Sequence, residues 1–169
     1  MNRPLVFLDV DGPLIPFGGK QPGTLDSLLS HTDSGSNPLE DRLDPELGPS
    51  LAGLPCELIW ATTWMDDANR YLAPILGLPT LPVMQWPDTD DERIDAWFGL
   101  HWKTRGLVAR ADGRAFVWID DEIGDGDEEW VSDNHRGPAL LYRVNPRNGL
   151  RQSDLATISE WLEANDAAS

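Results

Sequence analysis

The sequence predicts an α/β domain, doubly wound around a mainly parallel sheet of five strands. Three observations carry that expectation. Short apolar runs rich in Val, Ile, Leu and Trp recur along the chain. They are continuous rather than alternating, as in strands buried on both faces. Stretches with helical spacing separate them, which is the rhythm of a parallel sheet covered by helices. At 169 residues, one compact domain over residues 1–169 is the economical organisation.

The expected strands lie at residues 5–9, 57–62, 81–85, 116–120 and 139–144. Between them, residues 66–76 place Ala68, Leu72, Ile75 and Leu76 on one helical face, with Pro74 as a kink and Gly77 in a C-terminal stop position. Residues 103–111 form a further helix before the turn Asp112-Gly113. Ser153 is the expected N-cap of a last helix that buries Leu155, Ile158, Trp161 and Leu162. Residues 14–55 break the rhythm, being rich in Gly, Pro, Ser and Asp, with Gly18-Gly19 and Gly48-Pro49-Ser50 among them. So long an irregular connection is either functional or disordered, and a short helix at 45–54 is expected to lead into the second strand.

A net charge of −16 repels phosphate backbones at long range, so nucleic acid is not expected as a partner unless another protein supplies basic surface. The same charge is either a solvated surface or a set of carboxylates gathered around a cation; position separates the two. No apolar run is long enough to span a bilayer, and the N-terminus lacks a signal-peptide pattern, so no membrane association and a cytoplasmic location are expected. The single cysteine, Cys56, excludes an internal disulfide and agrees with a reducing compartment.

Chemistry concentrates at strand ends. The first strand runs Val6-Phe7-Leu8-Asp9-Val10-Asp11-Gly12. Side chains two apart share a face, so Asp9 and Asp11 emerge together at the carboxyl end, where open α/β sheets bind their ligands. Gly12 permits a sharp turn away. The second strand ends in Thr62-Thr63-Trp64, whose hydroxyls and following N–H groups can hold a phosphate oxygen. Lys103 opens a helix after His101-Trp102, and the strand Phe116-Val117-Trp118-Ile119 ends in Asp120-Asp121-Glu122. Any one of these pieces is also what a solvated strand end or helix start looks like. Their order along the chain is the stronger signal.

That order resembles the four motifs of the haloacid-dehalogenase (HAD) superfamily, namely Asp9-Val10-Asp11-Gly12, then Thr62-Thr63, then Lys103, then Asp120-Asp121. Trp60-Ala61-Thr62-Thr63-Trp64, Trp102-Lys103 and the short C-terminal strand and helix are similar to the small HAD-like domains of Swiss-army-knife RNA repair proteins. The resemblance implies a Rossmann-like fold with a small cap or flap insertion after the first strand, here residues 14–55. It implies a phosphohydrolase in which Asp9 is the nucleophile that forms an aspartyl-phosphate and Asp11 the general acid and base. Thr62, or Thr63 if the register is one residue off, would bind the phosphoryl group with Lys103, and Gly12, Thr63 and Trp64 would border the substrate. Asp9, the Asp11 backbone carbonyl and Asp121 would hold Mg²⁺, with Asp120 direct or through water.

Electrostatics supports the cation separately. If Asp9, Asp11, Asp120 and Asp121 converge, like charges about 4 Å apart repel by roughly 4 kcal/mol per pair at a partly shielded site. Lys103 offers one positive charge, so acids must protonate or a divalent cation must bind. All-oxygen ligands suit Mg²⁺, without excluding Mn²⁺ or Ca²⁺. His31, His101 and His135 show no zinc-site spacing. Of the eight tryptophans, Trp64, Trp86 and Trp102 are candidates for a pocket wall, although core packing accounts equally well for such residues. A small phosphorylated substrate is the expected partner, and nucleotides, RNA ends, sugar phosphates and phosphoproteins all remain open. The alternative is a non-catalytic metal-binding or protein-interaction domain on the same fold.

Overall fold

The computed structural model describes residues 3–16, 42–86, 92–97 and 99–166. Four strands, β1 (Leu5–Leu8), β2 (Glu57–Trp60), β3 (Phe116–Asp120) and β4 (Ala139–Arg143), form a wholly parallel sheet in the order β2-β1-β3-β4. β1 is therefore central, paired Leu8↔Trp60 on one side and Leu8↔Ile119 on the other. Continuous apolarity has the expected cause, since alternate residues of each inner strand enter two different cores. Val6, Leu8, Trp60, Val117 and Ile119 pack into one cluster with Leu51, Leu72, Ile158 and Leu162. Leu5, Phe7, Ile59, Phe116 and Trp118 pack into the other with Leu107, Ala111 and Val131.

Helices supply those outer layers. α1 (Leu47–Ala52) follows the described end of the insertion, and a π-helical turn Ala68–Leu72 runs directly into α2 (Ala73–Leu76). The widened turn explains the expected kink. Pro74 cannot donate and its ring would clash with the Arg70 carbonyl in an α-helical register, and Ala73 N–H bonds five residues back to the Ala68 carbonyl. Gly77 ends the helix at φ 69°. α3 (Glu92–Trp97), α4 (Thr104–Ala111), α5 (Asp125–Asn134) and α6 (Gln152–Ala164) follow.

Three expectations change. Residues 81–85 do not form a fifth strand. They make one parallel bridge, Trp60↔Val83, through Trp60 N–H to the Pro82 carbonyl and Met84 N–H to the Trp60 carbonyl, both 2.9 Å. Pro82 lacks a donor, and the Asn69 side chain takes over the Leu81 backbone, accepting from its N–H and donating to its carbonyl at 2.8 Å each. Ser153 is not the cap of α6. Arg151 holds that position, its N–H donating to Asp154 Oδ2 at 2.8 Å. Leu155, Ile158 and Leu162 are buried as expected, but Trp161 is only half-buried. The flap or cap expected within 14–55 falls mainly on residues 17–41, outside the described residues. Residues 10–15 close a tight turn in which Leu14 and Ile15 N–H both donate to the Val10 carbonyl at 3.0 Å.

Candidate active site

Because the strands are parallel and in register, β1 and β3 deliver their terminal acids to the same sheet edge. Asp9 leaves the end of β1 at 7% exposure, and Asp120 ends β3 at 1%. Lys103, at the N-terminal cap of α4 and 4% exposed, reaches between them, with Nζ 3.0 Å from Asp9 Oδ1 and 2.8 Å from Asp120 Oδ2. Asp120 is further held by the Trp118 indole N–H at 3.2 Å and the Glu122 backbone N–H at 3.1 Å. Asp9, Asp120 and Asp121 each offer a carboxylate oxygen within 4.8 Å of the others, a group that can hold a metal ion. A cleft of about 160 Å³ opens over them, lined by Asp9, Asp11, Thr63, Trp102, Lys103 and Asp121 among others.

One ammonium for several carboxylates decides the protonation. Burial pushes the Asp9 carboxyl up to about 8; Asp120 adds to the rise and Lys103 only partly offsets it. Asp121 is raised to about 7 by burial and by the charge of Asp120. Burial acts on Asp120 in the same direction, but the Lys103 charge and hydrogen bond prevail, so its carboxyl falls below the usual range. Burial likewise opposes the charge on Lys103, yet Asp9 and Asp120 together hold its ammonium above its ordinary value. Without a cation, therefore, Lys103 and Asp120 form the ion pair, while Asp9 keeps its proton and Asp121 is divided between protonated and ionised forms near neutral pH.

The remaining expected residues separate into two groups. Asp11 faces the cleft, but its carboxylate is not one of the three metal-compatible groups. Its Oδ2 accepts from the Trp64 indole N–H at 3.1 Å, and burial raises it despite that bond. Trp64 is 8% exposed, so it braces Asp11 rather than offering an open wall. Thr62 is fully buried and its hydroxyl oxygen accepts from Trp64 N–H at 3.2 Å; Thr63 is the threonine on the cleft. Gly12, at φ +102°, lies against Asp121, where an added Cβ would sit 2.6 Å from Asp121 Cγ. Its lack of a side chain thus makes room for Asp121.

A bracing network stands behind Lys103 that the sequence reading missed. Buried Asp127 accepts His101 N–H and the Thr104 hydroxyl on Oδ1, both at 2.7 Å, and Gly124 N–H on Oδ2 at 2.9 Å. The signal was present as Gly124-x-x-Asp127 at a helix start, the spacing at which a first-turn acid reaches back to the N-cap N–H. His101 Nδ1 accepts Lys103 N–H at 3.2 Å, which leaves Nε2 to donate to Glu122 Oε2 at 3.0 Å. Trp86 and Trp102 meet edge to face at 4.9 Å beside this network.

Strand-end acids and a buried lysine on a parallel, doubly wound sheet define an α/β domain of the HAD-like class, whose members are generally hydrolases. The family described as the HAD domain in Swiss Army Knife RNA repair proteins matches residues 5–155, and the chain belongs to that family. Neither a curated protein nor a solved structure matches the chain. No helix among the described residues is long and apolar enough to cross a membrane.

Proposed function

We propose that this domain is a Mg²⁺-dependent phosphohydrolase that works through an aspartyl-phosphate on Asp9. The observation that carries the proposal is the sharing of Lys103 by Asp9 and Asp120, with Asp121 completing a set of three acids within 4.8 Å. The donor set suits a hard divalent cation, being all oxygen and carrying more negative charge than Lys103 balances. Asp9, Asp121 and Asp120 are the carboxylates to hold it, together with the Asp11 backbone carbonyl. When bound, Mg²⁺ would offset the charge of these acids and of the incoming phosphate.

The chain's own residues then divide the work. Lys103 and Thr63 orient the phosphoryl oxygens. A deprotonated Asp9 oxygen attacks phosphorus, and the bond to the leaving oxygen breaks as Asp11 donates its proton to that oxygen. Asp11, now a base, takes a proton from water; the water oxygen bonds to phosphorus, the Asp9–phosphorus bond breaks, and inorganic phosphate leaves. The raised Asp11 carboxyl suits the first of these roles, and the Trp64 indole fixes its position. A phosphorylated nucleotide or RNA end is the proposed substrate class, because the matched family is described by RNA repair. The net charge of −16 favours a short ligand over a long polyanion. Mg²⁺-dependent release of phosphate from a small phosphomonoester tests the proposal. Cation binding without any release would leave a metal-holding domain that does not hydrolyse.

Two further outcomes follow from the site. Asp9 and Asp121 have carboxyls raised to about 8 and about 7, so a cation must displace protons at neutral pH. Calorimetry should show Mg²⁺ affinity rising with pH through that interval, with fewer protons released at each step. The folded protein holds these protons above the pH at which the unfolded chain loses them. In the absence of divalent cations, its stability should therefore fall as pH climbs from the ordinary carboxylate range through about 8, and added Mg²⁺ should remove the fall. Gly12→Ala places a Cβ into Asp121 at a strained φ. It should weaken Mg²⁺ binding by about ten-fold or more, the cost typical of disturbing a group that orients a ligand.

A further inference from the structure

The cleft of about 160 Å³ is sized for a phosphoryl group, so most of any ester must lie outside it. A larger groove of about 440 Å³ adjoins it, and Trp102 and Glu122 are walls of both. From these shared walls we infer that the groove is the leaving-group subsite, and that it takes a planar aromatic ring carrying N–H donors. The inference rests on the phosphohydrolase reading above.

The lining sets the chemistry. Ala96 and Trp102 give the groove apolar and aromatic surface, backed by the largely buried Leu100 and by the His101 ring stacked on Trp102. The exposed ring of Trp97, at 85%, follows Ala96 in the chain. A flat ring buries its area against such walls with little loss of rotational freedom. The polar groups are one-sided. Both Asp127 oxygens are taken by His101, Thr104 and Gly124. The Glu122 side chain is 68% exposed, and among the described residues only its Oε2 is engaged, by His101. An acceptor is therefore offered at the junction of cleft and groove. It rewards a ring with N–H groups on its edge and repels a second anionic group. The selected substrate is a monophosphate whose leaving group carries an aromatic ring with N–H groups on its edge, as a nucleobase does, rather than a bisphosphate or a phosphate with no ring.

Phosphonates are not hydrolysed, so their binding reads the subsite apart from turnover. In the full chain with Mg²⁺, calorimetric affinities would be compared for methylphosphonate, cyclohexylmethylphosphonate, benzylphosphonate and 3-aminobenzylphosphonate. The aminobenzyl compound should bind about ten-fold more tightly than methylphosphonate and more tightly than its cyclohexyl counterpart. Ala96→Trp, which fills the groove, should collapse that ratio toward one. Glu122→Leu, which removes the acceptor, should erase the advantage of the amino-bearing ring over plain benzyl. Equal affinities across the series, or a ratio that survives Ala96→Trp in a folded variant, would overturn the inference. Equal affinities in a protein that still releases phosphate would dispose of the subsite alone, whereas failure of the phosphohydrolase reading shows as no phosphate release at all.

Discussion

Replacing Asp9 with Asn is expected to lower phosphate release by roughly 10³-fold or more while leaving the fold intact. The two side chains have the same shape, so the cleft keeps its volume. Asn cannot supply the anionic oxygen that bonds to phosphorus. The fold should tolerate the change because Asp9 holds a proton in the cation-free protein, its carboxyl being raised to about 8 by burial. Lys103 also keeps its other partner, Asp120, at 2.8 Å. The thermal midpoint without Mg²⁺ should accordingly stay the same or rise, while Mg²⁺ affinity drops because one of the three clustered carboxylates has gone. Phosphate release and thermal unfolding, each with and without Mg²⁺, check this together. Turnover within about ten-fold of the parent would remove Asp9 from the nucleophile role.

Lys103→Met carries the larger stability cost. Lys103 is 4% exposed and is the cation that Asp9 and Asp120 share. Its removal leaves Asp120 buried without a balancing charge, a change that typically costs about 3 kcal/mol or more. The pH dependence has a definite sign. Burial works against the Asp120 charge, but Lys103 holds that carboxyl below the ordinary range, so the pair stabilises the fold above that range and the contribution is lost as pH falls below it, through the lowered value of Asp120. The deficit of the variant should therefore be greatest near neutrality and shrink toward about pH 4. Mg²⁺ should restore part of it by supplying positive charge to the same acids. Urea unfolding of both proteins over that range, with and without Mg²⁺, measures the difference. A deficit independent of pH and of Mg²⁺ would mean that Lys103 contributes only packing.

Much of this arrangement was legible in the sequence because burial on both faces leaves a plain pattern. The runs beginning at Leu5, Glu57, Phe116 and Ala139 became the four parallel strands. Residues 81–85 carried the same apolarity, but Pro82 has no N–H to give and Asn69 occupies the Leu81 backbone, so pairing stops after one bridge. At the site, alternation along β1 was enough to place Asp9 and Asp11 at one sheet edge. It could not show that Asp11 turns to the Trp64 indole while Asp9 turns to Lys103. The choice between Thr62 and Thr63 depended on a single backbone turn. That turn ties the Thr62 hydroxyl to Trp64 N–H and leaves Thr63 on the cleft. Asp127 and Glu122 act through residues distant in sequence, His101 and Thr104, and only the folded chain brings those partners together.

Acid-quenched turnover followed by peptide mass spectrometry tests the nucleophile most directly. With Mg²⁺ and a phosphomonoester, the peptide containing Asp9 should carry one added phosphoryl group on Asp9, and the label should vanish in Asp9→Asn. Sustained phosphate release with no label on that peptide, or with the label on another residue, would contradict covalent catalysis by Asp9.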